Sequence, residues 1–273
     1  MAADVTSVEN EVGPVVPELP RRTPRLQLGP HRRRFLVIYG LLAAVLGAAL
    51  GGVVVFAGKS ISPAPKWSAW KPQGGGLGAA QEIAAQVGKT YRLPNGNQLV
   101  DVIAKAPSVS PASSVTIPIH YVAVRGTKGG GDQIFTVSSS DSVMYSLCGL
   151  GTSCAIATGK ASVQRGTLVR REILELALYT FKYVGGIKNV IAFMPPTPGT
   201  QPKYVVYLQK SDLTAELHTP LVRTLAAKTP QPSTIPAREV RVVDTTTGSR
   251  IYSFSLSQAQ QGDAILVLAP IPA

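Results

Sequence analysis

One run of 23 residues without any charge, positions 35–57, constrains this chain more than any other feature. It reads FLVIYGLLAAVLGAALGGVVVFA. At a rise of about 1.5 Å per residue, a helix of this length covers the ~30 Å hydrocarbon core of a bilayer. Because lipid offers the backbone no hydrogen-bond partners, a segment that spans it has to be helical. The sequence therefore predicts a single transmembrane helix over residues 35–57.

Arginines on the N-terminal side of this run predict its orientation. Arg32, Arg33 and Arg34 precede it directly, whereas only scattered lysines follow it. Flanking cations are retained on the cytoplasmic side of a membrane. We therefore expect a single-pass protein of the cell membrane, with residues 1–34 as a disordered cytoplasmic tail and the C-terminal domain outside the cytoplasm.

Two further readings of the same run stay open. Arg32–Arg34 followed by Phe35 and Leu36 is similar to the core of a twin-arginine export signal, and small residues before position 58 would suit cleavage after Ala57. The apolar region of such signals is shorter than this run, which favours an uncleaved anchor. Gly47 and Gly51 form a GxxxG pattern, which predicts a homodimer through this face of the helix.

The remaining chain predicts a Pro- and Gly-rich linker over 58–78 and one strand-rich extracytoplasmic domain over 79–273. Apolar positions spaced by three and four residues predict a central helix over 167–184, ended by Gly185 and Gly186. Short alternating segments predict strands, among them a hairpin formed by 238–244 and 250–256. Helices and strands do not alternate regularly, so the fold class is predicted as α+β.

Two cysteines, Cys148 and Cys154, lie in the part of the chain placed outside the cytoplasm, where disulfides persist. We expect them to form a disulfide that closes one small loop. Zinc needs more ligands than they supply, and the histidines at 31, 120 and 218 are scattered. No metal or other cofactor is expected.

Motifs for catalysis are weak. No GxSxG pattern occurs, although a Ser-His-Asp triad assembled by folding would take its base from His120 or His218. Thr158–Ala161 is similar to a phosphate-binding loop but lacks its first glycine and its final hydroxyl residue. Arg171 and Glu175, four residues apart on the predicted helix, are expected to form a surface ion pair.

Charge suggests a binding role instead. The net charge is +12, and residues 35–273 carry 21 Lys and Arg against 11 Asp and Glu. This excess favours anionic neighbours. Cations near the start of the predicted helix form a candidate anion-binding cluster, because a helix N-terminus favours negative ligands. The alternative is that they pair with acids elsewhere in the fold. The cluster consists of Lys160, Arg165, Arg170 and Arg171.

These features predict a membrane-anchored, extracytoplasmic binding or assembly protein of the cell envelope, without enzymatic activity. The alternative is a membrane-tethered hydrolase built on serine and histidine. Membrane lipids are the expected partners of the anchor, and an anionic envelope component or a protein is the expected partner of the domain. No nucleic acid is expected as a ligand.

Overall fold

The protein is described by a computed structural model that covers residues 30–58, 66–109, 117–126, 133–258 and 263–271. Internal contacts divide the chain into two compact units, Met1–Ala64 and Pro65–Ala273. Residues 1–29, most of the predicted cytoplasmic tail, lie outside the described residues.

The first unit contributes one helix, α1 (Pro30–Gly58), which includes the whole uncharged run. Its large apolar side chains between Phe35 and Leu46 are each more than half exposed. A search of the described residues finds no helix with the length and hydropathy of a membrane span. The anchor over residues 35–57, and the homodimer through Gly47 and Gly51, stay predictions from the sequence.

The second unit is a mixed α+β fold, which confirms the predicted fold class. Its described helices, apart from short 3₁₀ turns, are α2 (Gly76–Gly88), α3 (Val163–Tyr183), α4 (Thr214–His218), α5 (Leu221–Thr224) and α6 (Ala237–Thr247). Its described strands are β1 (Asp101–Lys105), β2 (Ser108–Val109), β3 (Ile117–Gly126), β4 (Gln133–Ser138), β5 (Ser142–Cys148), β6 (Asn189–Phe193), β7 (Tyr204–Gln209), β8 (Ile251–Gln258) and β9 (Ala264–Pro270).

The described strands form a nine-stranded sheet in the order β1-β5-β6-β7-β8-β9-β3-β2, with β4 also paired to β3. Most neighbours run antiparallel, but β5 runs parallel to β6 and β3 runs parallel to β9. Helix α3 connects β5 to β6, as expected because parallel neighbours need a crossover connection. Helix α3 packs on β6 and β7, near the middle of the sheet.

Two hydrophobic clusters lie on the two faces of the sheet. The larger joins α2 and α3 to β1, β5, β6 and β7. Buried members of the smaller cluster all come from strands, namely β3, β5, β6, β7 and β9. Strands from both halves of the sheet therefore pack together on this second face. The helices, and the charged groups they carry, are concentrated on the first face.

Residues 238–244 were expected to be a strand, and this prediction is wrong: they lie in helix α6. Three valines in this segment suggested a strand, because β-branched residues favour extended backbone. The buried positions are instead Glu239, Val243 and Thr247, spaced by four residues as on one face of a helix. In the second half of the predicted hairpin, residues 251–256 form a strand, within β8, and its partners are β7 and β9.

Candidate functional site

Lys160 and Arg165 lie at the start of α3, as the predicted anion-binding cluster requires. Ser162 caps this helix by accepting a hydrogen bond from the Arg165 backbone amide at 3.3 Å. Gly159 has φ +78°, and a Cβ placed there would stand 2.4 Å from Nη2 of Arg165. Glycine at 159 is therefore needed both for the turn and for the position of the guanidinium.

A cleft of about 210 Å³ opens beside Arg165. Its lining is mostly apolar and includes Ile156, Val169, Met194 and Pro196. The residues between β6 and β7 form one wall, and the first two turns of α3 form the other. The cleft could accept a small apolar group, with Arg165 as its single charged side chain.

Arg170, one turn further along α3, is held by an acid. Its guanidinium contacts Asp244 Oδ1 at 2.6 Å and donates to the hydroxyls of Thr247 and Thr167 at 3.2 and 3.3 Å. These contacts tie α3 to α6. The alternative interpretation, pairing with an acid elsewhere in the fold, therefore describes Arg170.

Arg171 is fully buried and makes four contacts. Nε donates to Glu239 Oε2 at 2.6 Å, and Nη2 donates to the Ala226 carbonyl at 2.9 Å. Nη1 donates to the Tyr91 hydroxyl at 2.6 Å and lies 3.3 Å from Glu175 Oε2. We call these five residues the Arg171 cluster. The expected pair with Glu175 exists, but it is not the surface pair that the sequence suggested.

Burial and mutual attraction set the pKa values in the Arg171 cluster. Burial would lower the pKa of Arg171, but Tyr91, Glu175 and Glu239 together raise it above its ordinary value. Desolvation raises the pKa of Tyr91 well above its ordinary value, and Glu175 adds to this rise. Desolvation also raises the pKa of Glu175, against the attraction of Arg171. The guanidinium therefore stays charged in the interior.

Glu172, the next residue, is also fully buried, and neither of its carboxyl oxygens has a hydrogen-bond partner among the described residues. Desolvation raises its pKa well above the ordinary value, and the neighbouring Glu175 raises it further. A buried carboxyl without partners favours its neutral form. Glu172 is therefore protonated over a wider pH range than an exposed glutamate.

These contacts divide the four residues of the predicted anion-binding cluster. Lys160 and Arg165 lie beside the cleft, whereas Arg170 and Arg171 are occupied by acids of the protein itself. The buried Arg171 cannot reach an external ligand. The four side chains do not converge on one site.

The segments that meet at Arg171 carry exposed cations that the sequence did not single out. Arg92 lies next to the contacting tyrosine, Lys228 lies two residues beyond the contacting alanine, and Arg238 lies next to the contacting glutamate. All three side chains are exposed. Residues of all three segments contact the guanidinium of Arg171. The three cations therefore lie on chain segments that meet around Arg171.

Two further cations adjoin these three. The Arg238 guanidinium donates to the Arg223 carbonyl, and Arg92 Nε donates to the Lys89 carbonyl at 3.0 Å. Glu239 is the one acid in segments 88–93, 221–230 and 236–241, and it is buried against Arg171. We call this surface the basic patch: Lys89, Arg92, Arg223, Lys228 and Arg238.

Most described acids of the second unit are already used inside the fold. Glu82 accepts from the backbone amides of Gln73 and Gly74, and Glu172 is buried. The ion pairs are Asp141 with Lys188, Asp212 with Arg250, Asp244 with Arg170, and both Glu175 and Glu239 with Arg171, and Asp263 lies 3.7 Å from the His120 ring. Few described acids of the second unit are therefore free to neutralise the cations of the basic patch.

The two histidines of the second unit do not assemble a nucleophilic site in the part of the chain that the structure describes. His120 lies 3.7 Å from Asp263, and both side chains are about half exposed. His218 ends α4 near Lys182 and Lys210. No hydrogen bond between a histidine and a serine is found among the described residues.

The expected disulfide between Cys148 and Cys154 is confirmed. Within its loop, the Gly149 amide donates to the Cys154 carbonyl, and the Gly151 amide donates to the Ala155 carbonyl. Among the described residues, no group of three or more His, Cys, Asp or Glu is arranged to hold a metal ion.

Comparison of the chain with protein-family models, with curated proteins and with solved structures gives no match.

Proposed function

We propose that this protein is a membrane-tethered binding module of the cell envelope, whose extracytoplasmic domain holds an anionic partner at the basic patch. The observation that carries this proposal is the patch itself. It consists of five exposed cations on segments whose one acid is buried and paired. Exposed cations that form no ion pair among the described residues attract negative charge.

The Arg171 cluster supports this function by fixing the backbone beneath the cations. Glu239 accepts from the Ala226 amide at 2.9 Å in addition to Arg171, so the 225–229 segment is bound to α6. The Thr229 hydroxyl donates to Thr90 at 3.2 Å, which connects the same segment to the residues after α2. Binding to a surface that is already ordered costs less conformational entropy.

The tether is supported by the uncharged run at 35–57 and by the three arginines directly before it. Between Phe35 and Leu46, helix α1 exposes apolar side chains all around its circumference, which suits an apolar surrounding. The disulfide agrees with a domain outside the cytoplasm, where such bonds persist.

Binding of a soluble polyanion tests the proposed function. The full chain would be reconstituted in nanodiscs of uncharged lipid, and its affinity for fluorescent polyphosphate measured. The patch variant carries Lys89→Gln, Arg223→Gln and Lys228→Gln, whose side chains make no hydrogen bond within the described residues. Three exposed ion pairs at about 0.5–1 kcal/mol each predict an affinity loss of about 10- to 100-fold.

A matched control variant carries Arg125→Gln, Lys160→Gln and Lys203→Gln. It removes the same number of charges from β3, from the loop before α3 and from the loop before β7. We expect it to keep affinity within about threefold of the wild type, because these three residues lie outside the segments that form the basic patch. Equal losses in both variants would contradict binding at the basic patch.

A further inference from the structure

The second unit begins beside the basic patch. The Trp67 carbonyl accepts a hydrogen bond from the Leu221 amide at 2.7 Å, and the indole donates to the Glu216 carbonyl at 3.4 Å. Leu221 opens α5, the helix that carries Arg223. The chain therefore joins the domain two residues away from one cation of the patch.

This junction is firmly held. The Trp67 ring meets Tyr179 and Tyr183 edge-on at 5.6 and 5.7 Å, and Lys182 lies over it at 5.5 Å. The Ser68 hydroxyl lies 2.6 Å from the Tyr183 hydroxyl. Within the predicted linker over 58–78, Trp67 and Ser68 contact α3, α4 and α5. The tether therefore ends at a defined place on the domain.

The chain between α1 and this junction is short. Seven residues separate Gly58 from Lys66, and they extend over at most about 29 Å. This length is the longest reach of the chain between the predicted anchor and the junction.

Charge and exposed apolar surface at the junction suit a membrane interface. Lys66 adds a sixth exposed cation, and the Val222 side chain next to Arg223 is 63% exposed. Helix α4, which also contacts Trp67, contributes one acid, Glu216. Clusters of cations next to a membrane helix are attracted to anionic headgroups.

We propose that the basic patch binds acidic phospholipid headgroups of the membrane that holds α1, so that the domain lies on the bilayer surface. This inference rests on the proposed function and names its ligand. Each cation near an anionic surface strengthens attachment by about fivefold. Attraction of this kind weakens at high salt, because the screening length falls to about 3 Å at 1 M.

Lipid proximity of the patch tests this inference. Ala227, exposed next to Lys228, would be replaced in the full chain by Ala227→Cys and labelled with a fluorophore while the native disulfide stays intact. The chain would be placed in vesicles that contain a headgroup quencher, with either uncharged lipid or about one third phosphatidylglycerol. We expect quenching in the anionic vesicles that is at least twofold stronger, and its loss in 1 M salt.

Quenching is compared between the patch and control variants, and polyphosphate affinity is compared between uncharged and anionic vesicles. The patch variant should lose the quenching and the control variant should keep it. Polyphosphate affinity of the wild type should also fall at least fivefold in anionic vesicles, because lipid occupies the patch. Unchanged quenching between the two lipids, with patch-dependent polyphosphate binding, overturns the lipid inference and leaves the proposed function standing. If neither the quenching nor the polyphosphate binding depends on the patch, the lipid inference and the proposed function are both overturned.

Discussion

Two adjacent regions of α3 handle a buried charge in opposite ways. Around Arg171 the interior supplies two carboxylates, a tyrosine hydroxyl and a backbone carbonyl. Around Glu172 it supplies no hydrogen bond from the described residues, and the pKa of this carboxyl is raised. Both side chains are fully buried.

Arg171 stays charged and connects several segments of the fold, whereas Glu172 is buried in its neutral form. A charged group without partners costs far more to bury than a neutral one, so Arg171 keeps its charge through its contacts and Glu172 loses its charge by protonation. Arg171 thereby connects α3 with α6 and with the segments at 91 and 226. The exposed cations of the basic patch depend on these connections.

Removal of Arg171 should have the largest effect. Arg171→Met leaves Glu239 and Glu175 without their buried counter-charge, and breaking a buried pair in this way typically costs about 3–5 kcal/mol. We expect a loss of this size in the free energy of unfolding, measured by urea denaturation of the full chain in detergent. A loss below about 1 kcal/mol would mean that the two regions of α3 do not differ as described.

Replacement of Glu172 should have the opposite sign. Glu172→Met has a similar volume and removes a buried group without partners, so we expect a gain of about 1–3 kcal/mol in the free energy of unfolding at pH 7. Glu216→Met, at an accessible acid, is the control and should change stability by less than about 0.5 kcal/mol. A clear loss in Glu172→Met would show that the carboxyl has a stabilising role.

The pH dependence sharpens this second prediction. Because the pKa of Glu172 is higher in the folded than in the unfolded chain, the unfolded chain releases this proton first as pH rises. The wild type should therefore lose stability relative to Glu172→Met as pH rises above about 4.3, until the folded carboxyl also ionises. Denaturation curves at several pH values measure the difference in the free energy of unfolding between Glu172→Met and the wild type. A difference that becomes smaller with rising pH would contradict the raised pKa of Glu172.

Substitution of Arg170 should have the smallest effect on the free energy of unfolding, because its ion pair with Asp244 is partly open to solvent. Asp244 is half exposed, so water can replace the lost contact. We expect Arg170→Met to lower the free energy of unfolding by about 1 kcal/mol or less. If this loss equals that of Arg171→Met in the same urea titration, burial is not what distinguishes the two arginines.

Periodic and covalent features of the fold were readable from the sequence. The apolar spacing at 167–184 predicted α3, which runs from Val163 to Tyr183, because a central helix needs a wide apolar stripe. The disulfide between Cys148 and Cys154 was also predicted correctly. Helix α6 was missed, because its buried face includes a glutamate whose partner, Arg171, lies 68 residues earlier.

The basic patch left no local signal in the sequence. Its cations come from segments up to about 150 residues apart, and they are brought together by buried contacts of their neighbours. Arg170 and Arg171 were conspicuous because they are adjacent, yet their charges are satisfied inside the protein. Only the pairing of acids and cations in three dimensions reveals which charges remain free.

Hydrogen–deuterium exchange of the full chain, with and without polyphosphate, tests most directly whether the basic patch is the anion-binding surface. We expect slower exchange on addition of polyphosphate in segments 89–92, 223–229 and 236–241, and no change between 156 and 170. Protection confined to the region around Lys160 and Arg165, with none in those three segments, would contradict the account.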